Sequence, residues 1–400
     1  MNGGIELQKQ KKNKLLTITL WTAGSILFLL LGLLIFVNYY IDRSLPVTSG
    51  TISLSGLSDV VEVVRDKDGV PHIHAQNDKD LYMAQGYVQA QDRLFQMDLS
   101  RRQASGRLSE VVGEKAVDRD KFFRTFGLRR AAEVSFTAYP DEAKQLLEWY
   151  ADGVNAYMEE AADKGRLPVE FTLLGYKPEE WTPIDSLTIG KYMAFDLGGH
   201  WQGQAFRYWA LENLPKEKAY DLFPSYPDGA PTILSDIGES QVDLEKSFAA
   251  AVIPPEFNGS NNWVVSGEKT ENGKPLLADD PHLSLGTPSI WYQMHLESPD
   301  VNVSGVIFAG IPGIILGHNE QIAWGVTNTG PDVQDLYIEK RNEEDPDLFL
   351  YDGKWEKATI VQEPIKVKDS ETIPYTVTIT RHGPVISEFA HQQESGQVMA

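Results

Sequence analysis

No charged residue occurs between Lys14 and Asp42, and the stretch from Leu15 to Ile41 is almost wholly apolar. About 20 apolar residues in a helix cross a bilayer, because the helix satisfies every backbone polar group within the segment. Lys9, Lys11, Lys12 and Lys14 precede the stretch. That basic flank keeps the N-terminus cytoplasmic and puts the body of the chain on the other side of the cell membrane. A cleaved signal peptide is the rival reading. Against it stand the length of the apolar run and its ending in Asn38-Tyr39-Tyr40 rather than in small residues. An uncleaved single-pass anchor is therefore expected.

The rest of the chain is organised around this anchor. Residues 1–14 form a basic tail, 15–41 the span, and 42–58 a polar tether rich in Ser, Thr and Gly. Val60 to Asp66 alternates like a strand, Asp68-Gly69 supplies a turn, and Val70 to His74 continues as a second strand. From Asp78 the period becomes helical, with Leu81, Ala84, Val88, Phe95 and Leu99 at spacings of three, four or seven and Asn77 or Asp78 as N-cap. Further helices are expected over 140–162, 184–197 and 205–214. The segment 235–259 reads as a linker, acidic at first and ending in Ile253-Pro-Pro-Glu256 before Asn258-Gly259. Beyond it strands are expected at 262–266, 289–296, 301–307, 314–316, 321–326 and 375–380. The chain is thus α+β, helical over 59–234 and strand-rich over 260–400.

Composition excludes several chemistries. There is no cysteine, so thiolate catalysis, Cys zinc sites and disulfides are absent. The formal net charge of −21 repels phosphate backbones, so no nucleic-acid partner is expected.

At the end of the linker stands Asn258-Gly259-Ser260-Asn261-Asn262-Trp263. Taken alone this is a turn sequence. Its position, where a linker meets a strand, gives Ser260 another use. A serine hydroxyl needs a base before it can attack. Breaking the Gly259–Ser260 bond would leave an α-amine on the serine itself, with a pKa of roughly 7.7–8.0. Such an amine is partly neutral near physiological pH and can act as the base directly or through one water. Gly259 would also tolerate a strained backbone before cleavage.

Gly259-Ser-Asn-Asn-Trp-Val-Val265 resembles the start of the β-chain of penicillin acylases, which are N-terminal nucleophile hydrolases. Upstream, Val64 to His74 is similar to the opening of the family's α-chain, as is Gly86-Tyr-Val-Gln-Ala-Gln-Asp-Arg-Leu-Phe-Gln-Met97 with Arg101, Arg102 and Gly106. Downstream, Ala278-Asp-Asp-Pro-His-Leu283, Tyr292-Gln-Met-His-Leu296, Pro312-Gly313, Gly317-His-Asn319, Ala323-Trp-Gly-Val-Thr327 and Arg381-His-Gly-Pro-Val385 follow in the family's order. The resemblance covers roughly residues 60 to 400.

The resemblance implies the start of an αββα-type sandwich and an α/β heterodimer produced by self-cleavage between Gly259 and Ser260. It makes Ser260 the nucleophile and His282 the residue that contacts it in the cephalosporin and acyl-homoserine-lactone branches. The Asn328 backbone N–H becomes an oxyanion donor. It implies one calcium ion, bound by Asp332, the Gln334 carbonyl and Asp335. Gln204 stands where the family has a glutamate, so calcium should be held weakly. Met193, Leu197, Leu283, Leu316 and Val326 would line the acyl pocket, and their aliphatic character favours an acyl chain. The family's precursor is longer, so the chain reads as truncated within the β-chain region. Three functions follow for consideration. The first is hydrolysis of acyl amides such as β-lactam side chains. The second is hydrolysis of acyl-homoserine lactones. The third is an inactive truncated surface protein.

Overall fold

The computed structural model describes residues 3–198, 201–222, 259–283, 285–328, 333–389 and 397–400, with side chains from residue 18 onward. In chain order the helices are α1 (Gly3–Ser44), α2 (Asp78–Ala104), α3 (Ser109–Val112), α4 (Val117–Phe126), α5 (Leu128–Ala138), α6 (Asp141–Asp163), α7 (Val169–Leu174), α8 (Pro183–Gly198), α9 (Trp201–Asn213) and α10 (Lys216–Asp221). The first strands are β1 (Glu62–Arg65), β2 (Pro71–His74), β3 (Gly259–Val265), β4 (Leu276–His282), β5 (Trp291–Glu297), β6 (Asn302–Phe308), β7 (Leu316–His318) and β8 (Ala323–Trp324). The remainder are β9 (Ile338–Lys340), β10 (Leu348–Tyr351), β11 (Lys354–Lys357), β12 (Thr359–Gln362), β13 (Thr376–Ile379) and β14 (Gln397–Met399). The linker expected over 235–259 lies outside the described residues, apart from Gly259 itself.

The chain divides into two compact units, residues 1–53 with 158–177 and residues 54–157 with 178–400. In the first, α1 extends three residues beyond the expected span at its C-terminal end. It is the one helix among the described residues long and apolar enough to cross a membrane, and over Ile18–Ser44 none of it is buried. Tyr40 Oη donates to Thr172 Oγ1 of α7 at 2.9 Å.

The second unit holds the sequence on both sides of the Gly259–Ser260 bond in one body. Its main sheet has the order β1-β2-β5-β6-β7-β8. Every pair is antiparallel except β2–β5. Strand alternation sends Ile73, Met294 and Leu296, all fully buried, to one face. Each such side chain contributes about 1.5–3 kcal/mol of burial.

That face carries α2. The helix starts where Asn77 accepts the Asp80 N–H at 2.9 Å, and its middle is buried. The Gln85-to-Gln89 spacing of four puts two buried amides on one side. Gln85 donates to the Gly313 carbonyl at 3.0 Å and accepts from the Gly313 N–H at 2.9 Å. Gln89 donates to the Ile311 carbonyl at 3.2 Å and accepts from the Gly310 N–H at 3.0 Å. Gln85 and Gln89, the second of them within the Gly86 motif, thereby fix the turn between β6 and β7. Gly86 and Gly153 are needed where α2 crosses α6, since a Cβ on either would overlap a carbonyl oxygen of the other helix.

Further along α2 is a buried ionic cluster. Asp98 bonds Arg101 at 2.7 Å and Arg102 at 2.9 Å. Asp185 of α8 meets Arg101 at 3.3 Å and Arg129 of α5 at 2.8 Å. The Arg101-Arg102 pair of the family motif is therefore structural.

Helices α2, α6 and α8 match expectation within a residue or so, while α9 begins four residues early, at Trp201. Helices α4 and α5 carried no expectation. Neither did β4, which pairs with β3 along its whole length. The architecture is α+β. Among the described residues the strands form one six-stranded sheet and four two-stranded ladders, and no two-sheet sandwich.

Candidate active site

Ser260 is the second residue of β3 and sits opposite Pro281 of β4, with Gly259 opposite His282 and Asn262 opposite Asp279. Side chains alternate across a strand, so Ser260, Asn262 and Asp279 share one face of the ladder. Those three are partly buried, whereas Asn261, Trp263, Asp280 and His282 on the other face are exposed. His282 therefore turns away from the serine. Its Nε2 lies 2.9 Å from Asp280 Oδ2, and among the described contacts none joins it to Ser260. Gly259 is the first residue of the ladder and pairs with His282.

The partners of Ser260 come from the segment after β8. Thr327 Oγ1 is 2.7 Å from Ser260 Oγ and 3.1 Å from the Ser260 carbonyl oxygen. The Asn328 N–H donates to Ser260 Oγ at 3.3 Å. One proton assignment satisfies all three contacts: Asn328 N–H to Ser260 Oγ, Ser260 Oγ–H to Thr327 Oγ1, and Thr327 Oγ1–H to the Ser260 carbonyl. The Asn328 side chain donates to the Leu197 carbonyl at 2.6 Å, tying this segment to the end of α8. Thr327 stood in the matched Ala323–Thr327 motif, but its contact with the serine was not legible there.

Gly325 permits this approach, since a Cβ there would lie 2.6 Å from Asp279 Oδ1 and 2.7 Å from Asn262 Nδ2. Both Asp279 oxygens are buried without a hydrogen bond of good geometry. Burial pushes the Asp279 carboxyl above its ordinary pKa, the neighbouring Val326 amide only partly offsets this, and Asp280 adds to the rise.

The expected acyl-pocket residues are only partly gathered. Leu197 and Val326 flank the Asn328 contact, and Leu283 directly follows His282. Met193 and Leu316 are buried core side chains at 6% exposure each.

The calcium ligands fare differently. Asp332 lies outside the described residues. Gln204 Oε1 accepts the Leu336 N–H at 3.1 Å. That fixes the amide orientation and aims Nε2 at the Gln334 carbonyl, to which it donates. The carbonyl expected to bind calcium thus already faces an N–H donor. As placed, Gln204 and Gln334 offer no shared pair of oxygens to a hard cation, and no described contact brings Asp335 to them. A different set, His74, His295 and Glu297, could hold a metal ion by proximity.

Comparison with known proteins gives the class. Residues 60–400 match the family described as penicillin amidase. The acyl-homoserine lactone acylase QuiP of Pseudomonas aeruginosa is 35% identical over 374 residues, covering 90% of this chain and 44% of that protein. The penicillin acylase 2 proenzyme of Pseudomonas sp. strain SE83 is 34% identical over 364 residues, covering 87% of this chain and 46% of that protein. A solved structure, the thermostable penicillin G acylase from Alcaligenes faecalis, is 30% identical, covering 45% of this chain and 98% of that chain, with a TM-score of 0.39. The chain belongs to the penicillin amidase family. It spans about half the length of the curated relatives it matches.

Proposed function

We propose that this chain is the precursor of an amidohydrolase that cuts itself at Gly259–Ser260 and then hydrolyses linear acyl amides with Ser260. The observation that carries this is the convergence of the Asn328 N–H and the Thr327 hydroxyl on Ser260 Oγ, one residue after Gly259. In the first stage Ser260 Oγ attacks the Gly259 carbonyl carbon. The C–N bond breaks, the nitrogen takes a proton and becomes the Ser260 α-amine, and an ester remains. Water hydrolyses the ester to the Gly259 carboxylate and the free serine hydroxyl. In the second stage the amine accepts the hydroxyl proton as Oγ attacks the substrate carbonyl, and the Asn328 N–H stabilises the oxyanion; the substrate C–N bond then breaks as the ammonium hands its proton to the leaving nitrogen, and water hydrolyses the acyl ester to the carboxylate and free Ser260. His282 pairs with Gly259 in the ladder; once the bond is cut, that pairing can loosen and the imidazole can turn to orient the amine. No step passes through calcium. The finished fold is the αββα sandwich.

The substrate is best read as an amide with an aliphatic acyl chain, an N-acyl homoserine lactone ahead of a β-lactam side chain. The sequence reading put the β-lactam first. The weight moves because relatives named as acyl-homoserine lactone acylases match at 35% and 34% identity, and the expected pocket residues are aliphatic. The body is anchored by α1 and faces away from the cytoplasm.

Intact-mass measurement of the purified chain tests the first stage. A fragment beginning at Ser260 is expected, and its absence in Ser260→Ala. Cleavage of Ser260→Ala at the same bond would point to an external protease. Chromatography of acyl-homoserine lactone and penicillin digests separates the substrates; release of the β-lactam nucleus alone would reverse the ranking.

A further inference from the structure

We propose that the outer face of the main sheet carries a binding site for one divalent transition-metal ion of the zinc type, formed by His74, His295 and Glu297. The site is remote in chemistry from Ser260 and stands whether or not the chain is cut.

The parallel β2–β5 pairing sets His72 beside His295 and His74 beside Glu297. Paired residues share a face, so all four side chains project opposite to buried Ile73 and Leu296. His318 joins the same face through Ser304 of β6, so four of the chain's eight histidines are gathered there. One ligand atom from each of His74, His295 and Glu297 lies within 4.8 Å of the others. Tetrahedral zinc, with Zn–N of about 2.0–2.1 Å, brings its ligand atoms to about 3.3 Å apart. His74 and Glu297 are 36% and 46% exposed at the side chain, so rotamer changes can close that gap.

Tautomer control supports the assignment. Asn302 donates its side-chain N–H to Glu320, which turns its carbonyl oxygen toward His295. His295 Nε2 lies 2.8 Å from that oxygen and must carry the proton. In that tautomer Nδ1 is the acceptor nitrogen. Metal-bound histidines are typically held in this way, with the other ring N–H donated to an oxygen. His72 Nδ1 lies 3.2 Å from His295 Nδ1 and donates to it, so an ion binding there requires the His72 ring to turn aside, from where it can serve as a fourth ligand. Glu297 bonds His74 at 2.8 Å and, among the described ion pairs, meets no lysine or arginine. Glu62 lies opposite His74 on β1 and adds negative charge. Imidazole with one carboxylate suits zinc, copper or nickel; calcium prefers an all-oxygen set. The ligands come from residues 223 apart in sequence, so a bound ion would clasp the parts before and after Gly259–Ser260.

The test uses the full chain in detergent, stripped with chelator and titrated with zinc chloride alone. One equivalent should bind and raise the melting temperature. At zinc a hundredfold above its Kd, the apparent unfolding constant should fall about a hundredfold. Cobalt(II) should give the visible absorption of a four-coordinate ion, and calcium should not displace it. Glu297→Gln and His295→Gln should lose the equivalent while calorimetry shows them folded. Failure of the folded wild-type chain to take up zinc would overturn the proposal. So would an unchanged equivalent in Glu297→Gln, whose exposed side chain can be replaced without emptying the core.

Discussion

Replacing Thr327 by valine keeps the shape of the side chain and removes only the hydroxyl that meets Ser260. Ser260 Oγ then loses a partner at 2.7 Å, and the Ser260 carbonyl loses one at 3.1 Å. Each neutral hydrogen bond is worth about 0.5–1.5 kcal/mol net, so the pair amounts to about 1–3 kcal/mol. If these bonds hold the serine rotamer needed for attack, that energy enters the barrier. At about 1.4 kcal/mol per tenfold, self-cleavage should slow roughly 5- to 150-fold. The assay follows the Ser260-terminated fragment by intact mass after a synthesis pulse. Calorimetry should show the precursor's melting temperature little changed, since Thr327 is exposed. Thr327→Ser retains the hydroxyl and should recover most of the rate. Cleavage of Thr327→Val at the wild-type rate, with the serine variant no different, would refute the positioning role.

Asp185→Asn should cost about 1.5–3 kcal/mol at neutral pH, because it strips Arg101 and Arg129 of a buried carboxylate while Asp98 still pairs Arg101. Burial raises the Asp185 carboxyl, but the two arginines and the Thr182 N–H outweigh it and hold its pKa below the ordinary value. A depressed folded pKa gives stability that is full above the unfolded value of about 3.9 and lost as pH falls through the folded one. Denaturant titrations should therefore show the wild-type advantage shrinking in acid; a pH-independent difference would exclude the linkage. Gln204→Glu should lower the melting temperature in chelator and regain it with millimolar calcium, because a carboxylate facing the Gln334 carbonyl needs a cation between them. The wild-type chain should be indifferent to calcium, and a wild-type melting temperature that falls in chelator and returns specifically with calcium would contradict this. Protease added to intact cells should remove the body from α1, whereas complete protection would place it on the cytoplasmic side.

The local pattern alone determined a good deal of this protein. The uncharged run after Lys14 fixed a long apolar helix. The helical period located α2 and α6, and the β-rich texture after the linker located β5 and β6, because those signals depend only on neighbours along the chain. The family resemblance marked Ser260 and Asn328, and the structure gathers them with Thr327 into one hydrogen-bonded group. Other features depended on register between distant segments. Nothing near His282 says which face of β4 it takes; that follows from its pairing with Gly259. Nothing near Gln204 says that its amide N–H, rather than its oxygen, meets Gln334; the Leu336 amide decides it. The parallel pairing of β2 with β5 joins histidines that no sequence window could contain together. A strand shifted by one residue presents the opposite side chains, and only packing against α2, with Ile73 and Leu296 driven inward, selects the register observed.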